Sequence, residues 1–203
     1  MRPSGAPHAS HGPGGDHDFA MVIDRAKRRD PDAWAVIYER FSVSIYNFFH
    51  YEVRNRQIAE DLTAGVFLEG LQAAHRFDGD EKALRAWLFR IGRHNLIDYI
   101  RSSRRAILED IEQTSERELA ARTLPNEDPE ESAMVTLVRD RVRAAVRQLS
   151  HDQREVVLLR LTGGLTSPEI AQIVGKTTGA VKALQHRAMS TLAKSLADSG
   201  DMT

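Results

Sequence analysis

Between residues 149 and 187 two capping boxes and one glycine divide the chain into three short helices. Ser150 with Gln153 opens the first, which runs through Val156, Val157, Leu158 and Leu161. Gly163 and Gly164 stop it. Thr166 with Glu169 opens the second, from Ser167 to Val174. Gly175 then turns the chain into a third helix from about Thr178 to Leu196. Ala171 is small enough to let the last two helices approach, and the branched Val181 fits a buried lock on the third. That is the arrangement of a helix-turn-helix, whose second helix enters a DNA major groove by its N-terminal part. An ordinary helical hairpin is the competing reading, and the basic third helix argues against it. An amphipathic helix carrying Val138, Val142, Ala145, Val146 and Leu149 precedes this unit.

The rest of the chain is helical as well. Strand-like alternation is absent and only 6% of residues are aromatic. Phe19, Val22, Ile23 and Ala26 line a first helix. Asp30 before Pro31 suits an N-cap with proline at the first helical position. Trp34, Ile37, Tyr38, Phe41, Ile45, Phe48 and Phe49 continue at three- and four-residue spacing and are expected in a core. Ile58, Leu62, Phe67, Leu68 and Leu71 are the expected apolar stripe of the next helix. After a polar loop, 77–82, Leu84, Trp87, Leu88, Ile91, Leu96, Ile97 and Ile100 are expected to face inward. Arg85, Arg90, Arg93, Arg101, Arg104 and Arg105 are left for an outer surface.

Charge divides the 203 residues more sharply than hydropathy does. The net charge is only −1, yet residues 82–105 carry seven basic side chains and one acidic. Residues 106–135 carry nine acidic and two basic, with Pro125 and Pro129. Residues 136–196 carry ten basic and four acidic. Basic blocks of this kind neutralise phosphates and release counterions, whereas the acidic, proline-bearing block reads as a flexible linker. The expected fold is all-α, with two small helical domains at 19–105 and 136–197 joined by the acidic linker 106–135. Residues 1–18 are expected to be a disordered extension, and 198–203 a tail.

Other function classes find little support. There is no cysteine, so a disulfide scaffold, a thiolate metal site and a cysteine nucleophile are excluded. His8, His11 and His17 have only Asp16 and Asp18 near them in sequence, and no metal or other cofactor is expected there. Glu60 and Asp61 are adjacent, diverge by about 100° around a helix and do not form a catalytic pair. No Gly-rich phosphate loop, nucleophile elbow or His–Glu metal spacing occurs, so no enzyme activity and no catalytic residue is expected. No stretch approaches a membrane span, and no membrane insertion is expected.

Four segments resemble a known family in order. Ala59-Glu-Asp-Leu-Thr-Ala-Gly-Val-Phe-Leu68 is similar to the second conserved region of bacterial RNA polymerase sigma factors of the small extracytoplasmic-function (ECF) type. Arg85-Ala-Trp-Leu-Phe-Arg-Ile-Gly-Arg-His-Asn-Leu-Ile-Asp-Tyr-Ile-Arg101 resembles their promoter-melting helix. Leu149-Ser-His-Asp-Gln-Arg-Glu-Val-Val-Leu-Leu-Arg160 and Gly164-Leu-Thr-Ser-Pro-Glu-Ile-Ala171 resemble their fourth region. The resemblance implies a promoter-specificity subunit of RNA polymerase core, working in the cytoplasm. Asp61, Leu62, Thr63, Val66 and Phe67 would dock on polymerase. Phe77, Asp78, Lys82, Arg85, Arg90, Arg93, His94, Asn95 and Arg101 would hold the proximal (minus-10) promoter DNA as a single strand. Thr177, Thr178, Lys182, Gln185, His186 and Arg187 would read the upstream (minus-35) duplex. The family also implies an anti-sigma factor as partner.

The chain departs from that family's usual pattern in three places. Gly65 replaces a common acidic residue. His94 stands where Asn is usual, with Asn95 one step later. Ala183 and Leu184 replace a Ser-Arg pair, and Gln185 an apolar residue. A leucine cannot make the bidentate guanine contact of an arginine, which shifts the expected DNA work to Lys182, Gln185, His186 and Arg187. The alternative is a helix-turn-helix transcriptional regulator that binds duplex DNA without polymerase. The basic block 82–105 argues against it.

Overall fold

The computed structural model describes residues 14–53, 55–111, 141–142 and 144–198, with 14–18, 104, 106–111 and 198 described by their backbone alone. Among the described residues every regular element is a helix. The first domain consists of α1 (Gly14–Lys27), α2 (Pro31–Val53), α3 (Arg56–Ala73), a 3₁₀ turn (Ala74–Arg76) and α4 (Glu81–Ile111). The second has α5 (His151–Leu161), α6 (Ser167–Val174) and α7 (Thr178–Asp198), preceded by helical backbone at 144–147. The all-α, two-domain expectation is met. Residues 1–13 and 112–140, with the N-terminal histidines His8 and His11 and most of the acidic segment, lie outside the described residues.

Two helices run further than their sequence patterns suggest. α1 starts at Gly14 rather than Phe19, and α4 continues six residues past Arg105. No proline or glycine interrupts 93–111, and Ala106, Leu108 and Glu109 are good helix formers, so nothing local stops α4 at the change of charge.

Local signals set the other boundaries. Asp30 Oδ1 accepts from the amides of Asp32 and Ala33 and so caps α2. A hydrogen bond from Arg25 Nε at 2.8 Å, with the two amides, holds the Asp30 carboxyl below the usual carboxylate range. Asn55 caps α3 through the Ile58 amide. Both capping boxes of the second domain form. Gly175 takes φ +68°, ψ +34°, the left-handed conformation in which a Cβ would crowd the carbonyl.

The core of the first domain is aromatic. Trp34, Phe41, Phe48 and Phe49 are buried, and the Trp34 indole donates to the Ala26 carbonyl, tying α2 to α1. Tyr38 departs from its expected burial: it is exposed, with its ring 4.7 Å from that of Phe67. The buried face of α3 is also offset from the expected stripe. Ala59, Thr63, Val66, Phe67 and Gly70 are inside, while Leu68 is exposed. The small residues decide this, because a Cβ at Gly70 would lie 3.0 Å from the Trp34 ring. α3 packs by close approach rather than by its largest side chains.

The apolar core runs on from the first domain into the second. Phe89 packs edge-on to Phe48 at 5.9 Å and is 1% exposed. A Cβ at Gly163, after α5, would lie 3.0 Å from its ring. Phe89 is absent from the expected inward set because its burial depends on α5. Within the second domain Ala171 and Val181 are buried, as the helix-turn-helix reading requires.

Candidate nucleic-acid interface

α4 places its cationic residues by helical geometry. At 100° per residue, Lys82, Arg90, Arg93 and Arg101 fall within about 100° of arc, and His94 lies at its edge. Lys82, Arg90, His94 and Arg101 are exposed. Arg85 lies further round, paired with Glu81 at 3.4 Å and with its guanidinium 5.8 Å from the centre of the Phe41 ring. Asn95 turns away from the arc and sits half-buried beside Gly65 of α3. The two residues at the His94 departure therefore have different surroundings: His94 meets solvent and Asn95 meets α3.

The 3₁₀ turn and the loop after it close one end of this surface. Phe77 lies against Trp87 with ring centres 5.2 Å apart. Arg76, Phe77, Asp78, Lys82, Trp87 and Arg90 line a cleft of about 480 Å³, whose opposite wall is Glu169 and Gln172 of α6. Asp78 is exposed and 3.4 Å from Lys27 Nζ. Two aromatic rings and three cations share this lining with the carboxylates of Asp78, Asp80 and Glu169; the rings and cations suit an unstacked base and its phosphates.

Arg93 is not on the outer surface. Its Nε donates to Glu155 Oε1 at 2.7 Å, with the two side chains 21% and 4% exposed. The sequence offers no local signal for this pair, because its members are 62 residues apart.

The residues expected to meet polymerase divide into two groups. Asp61 is exposed and Leu62 half-buried. Thr63, Val66 and Phe67 are buried, and the Thr63 hydroxyl donates to the Ala59 carbonyl at 2.6 Å. The buried three shape the face from beneath. The outer apolar surface here comes from Tyr38, Val43 and Leu68, which the helical stripe assigned to the core or passed over. Tyr38 and Val43 also line a cavity of about 380 Å³ between α2 and α3.

On α7, Thr178, Lys182 and His186 follow one another at four-residue spacing. Lys182, His186 and Arg187 are exposed. The Thr177 hydroxyl oxygen accepts from the Ala180 amide and caps the helix, and Thr178 is half-buried. Gln185 points back to α6, where its Oε1 accepts from the Ser167 hydroxyl at 3.0 Å. Leu184 is half-buried and packs on the core. The departures at 184 and 185 thus join the two helices of the motif, and the outward face is left to Lys182, His186 and Arg187.

Among the described residues one group has metal-ligand chemistry: His151, Asp152 and Glu155, with ligand atoms within 4.8 Å. Its carboxylates already have cationic partners. Lys176 Nζ donates to Asp152 Oδ2 at 2.9 Å, and Arg93 donates to Glu155. The Lys176 hydrogen bond, with its charge and those of His151 and Arg93, holds the Asp152 carboxyl below the usual range. No helix among the described residues is long and apolar enough to cross a membrane.

Comparison with known proteins bears on the family and the fold. Residues 37–106 match the Sigma-70 region 2 family and residues 139–192 match Sigma-70 region 4. The chain is 35% identical over 189 residues to the ECF RNA polymerase sigma factor BldN of Streptomyces coelicolor, covering 92% of this chain and 70% of that protein. It is 28% identical over 169 residues to the ECF sigma factor SigX of Bacillus subtilis, covering 80% and 83%. Among solved structures, CnrH in complex with the cytosolic domain of CnrY shares the fold at a TM-score of 0.63 and 22% identity, over 88% of this chain and 96% of that one. RpoE of Bartonella quintana in complex with the anti-sigma factor NepR does so at 0.57 and 20%, over 90% and 96%. With both regions matched in order, and a relative 35% identical over 92% of this chain, this chain belongs to the ECF family of RNA polymerase sigma factors.

Proposed function

We propose that each of the three surfaces has one task in promoter-specific initiation. The outer face of α2 and α3, with Asp61, Leu62, Tyr38, Val43 and Leu68, docks on core polymerase. Thr63, Val66 and Phe67 hold that face in shape. The loop from Phe77 to Lys82 and the basic arc of α4 take the minus-10 element as a single strand. Lys82, Arg90 and Arg101 track phosphates while a base enters the cleft over Phe77 and Trp87, and Arg93 is held by Glu155. Asp78, Arg85, His94 and Asn95 frame this surface. α7 reads the minus-35 duplex through Lys182, His186 and Arg187, with Thr177 and Thr178 at its N-terminus and Gln185 bracing it on α6.

The observation that carries this reading is the cleft of about 480 Å³ at one end of the α4 cationic arc. A regulator that binds only intact duplex has no use for an aromatic-floored base site. The protein brings no chemistry of its own; its binding energy offsets the cost of unstacking the promoter. It acts in the cytoplasm, where core polymerase is. An anti-sigma factor is its regulatory partner, as NepR is bound to RpoE in the complex from Bartonella quintana. Run-off transcription from a promoter library, with core polymerase with and without this protein, tests the reading. Transcripts that need the protein and share two spaced upstream motifs are expected. Tight binding to duplex by the protein alone, without initiation, would overturn it in favour of a plain regulator.

A further inference from the structure

Arg29 holds a backbone conformation that glycine adopts more easily. Its φ is +60°, and among the described residues no other side chain but hydrogen stands in the left-handed region. The Arg29 amide donates to the Ala26 carbonyl at 2.9 Å, and the Asp30 amide to the Arg25 carbonyl at 3.3 Å. Those two bonds close α1, and the residue between them is usually glycine, which has no Cβ to crowd the carbonyl. The arginine side chain crosses to α3, where Nη2 donates to the Gln72 carbonyl at 3.2 Å. A guanidinium has five donors, so most of them are left over, and Arg29 is exposed.

Two more guanidiniums share this corner. α1 packs against the 3₁₀ turn Ala74–Arg76, which begins two residues after Gln72. Arg28 and Arg76 are exposed. The other cations nearby are balanced. Arg25 lies 2.8 Å from Asp30 and 3.7 Å from Asp32, and Lys27 lies 3.4 Å from Asp78 and 3.8 Å from Asp24. Arg28, Arg29 and Arg76 have no carboxylate partner among the described residues, and Arg76 Nε donates to the His75 ring. Arg76 also lines the cleft beside Phe77 and Trp87. The unbalanced charge therefore starts at the cleft and leads onto α1, a different helix from the one that carries Lys82, Arg90 and Arg101.

We propose that Arg28, Arg29 and Arg76 form a second phosphate track, which takes the backbone of the single promoter strand where it leaves the cleft. A guanidinium can hold a phosphate diester through two parallel donors. The strand is then gripped from two helices, α4 and the end of α1. Glycine at 29 would close α1 at less strain but bring no charge. The assignment rests on the reading of the cleft as the single-strand site, and the experiment separates the two. The full chain is titrated against a fluorescent mixed-sequence single-stranded 12-mer at several salt concentrations and followed by anisotropy. Arg28→Ala and Arg29→Gly should each weaken binding. Each should reduce the slope of log affinity against log salt by about 0.7, the value for one phosphate contact on a single strand. Arg29→Lys keeps the charge and should keep the slope. Thermal unfolding separates a binding role from a structural one: Arg29→Gly should melt no lower than the unaltered chain, because glycine relieves the left-handed strain.

Unchanged binding in Arg28→Ala and Arg29→Gly, with Arg90→Ala weakening it, would overturn the track and leave the α4 reading intact. No binding by the unaltered chain, or no effect of any of the three, would overturn both. Weakening by the corner variants but not by Arg90→Ala would support the track and place the fault in α4. A lower melting temperature in Arg29→Gly with unchanged binding would make Arg29 a brace for α3 and overturn its part. Weaker association of Arg28→Ala with core polymerase, at unchanged oligonucleotide binding, would give the corner to a protein surface instead.

Discussion

A Cβ on Gly65 would lie 3.6 Å from Nδ2 of Asn95, an ordinary van der Waals distance across the α3–α4 contact. The glycine is therefore not demanded by packing at its first carbon. In a helix interior it costs about 0.5–1 kcal/mol relative to alanine. Gly65→Ala is expected to raise the unfolding free energy by about that amount, read from the midpoint of urea denaturation. Gly70→Ala, five residues on, is expected to lower stability by about 1–3 kcal/mol, because its Cβ would meet the Trp34 ring at 3.0 Å.

Gly175→Ala tests a different property. Nothing lies within 4 Å of a Cβ there, yet φ is +68°. The expected cost is about 1–2 kcal/mol from backbone conformation alone. Thermal unfolding with a probe in the second domain measures it.

On α7 the outward and inward residues should separate by salt dependence. Lys182→Ala is expected to weaken duplex binding evenly across sequences. It should reduce the slope of log affinity against log salt by about 1, the signature of one lost phosphate contact. Gln185→Ala should leave the slope unchanged and lower the stability of the helix-turn-helix, since its amide is held by Ser167. Fluorescence anisotropy titrations at several salt concentrations distinguish the two.

Acid should loosen the second domain through Asp152. Lys176 depresses its pKa in the folded state, so the folded protein releases this proton more readily than the unfolded chain. The pair contributes stability above the ordinary aspartate range, near pH 4, and that contribution is lost as pH falls through the lower folded value. Lys176→Met should flatten the low-pH part of the stability profile. The effect is small, because Asp152 is about half exposed and solvent screens the pair.

The features legible in sequence are those decided within a few residues. Ser150 with Gln153, Thr166 with Glu169, Asp30 before Pro31 and Gly175 are local devices, and each forms as its spacing implies. The features that were not legible depend on distant partners. Phe89 is buried because α5 covers it. Leu68 is exposed because Ala59 and Gly70 let α3 approach α2 by a smaller face. Gln185 turns inward because Ser167, 18 residues earlier, takes its oxygen. Arg93 leaves the expected outer surface because Glu155 faces it. Helical periodicity records which residues can share a face, but the neighbouring element decides which face is used.

α4 ends at Ile111, about 27 Å of helix beyond Arg93 at 1.5 Å per residue. The second domain therefore meets α4 far upstream of that helix's C-terminal end. In sequence, 39 residues separate Ile111 from His151, the first residue of α5. Because both partners are on one chain, dilution does not release them. A rival must compete with an intramolecular contact whose strength does not fall with protein concentration. The joining of α4 and α5 in one chain thus sets what any ligand competing for Arg93 has to match.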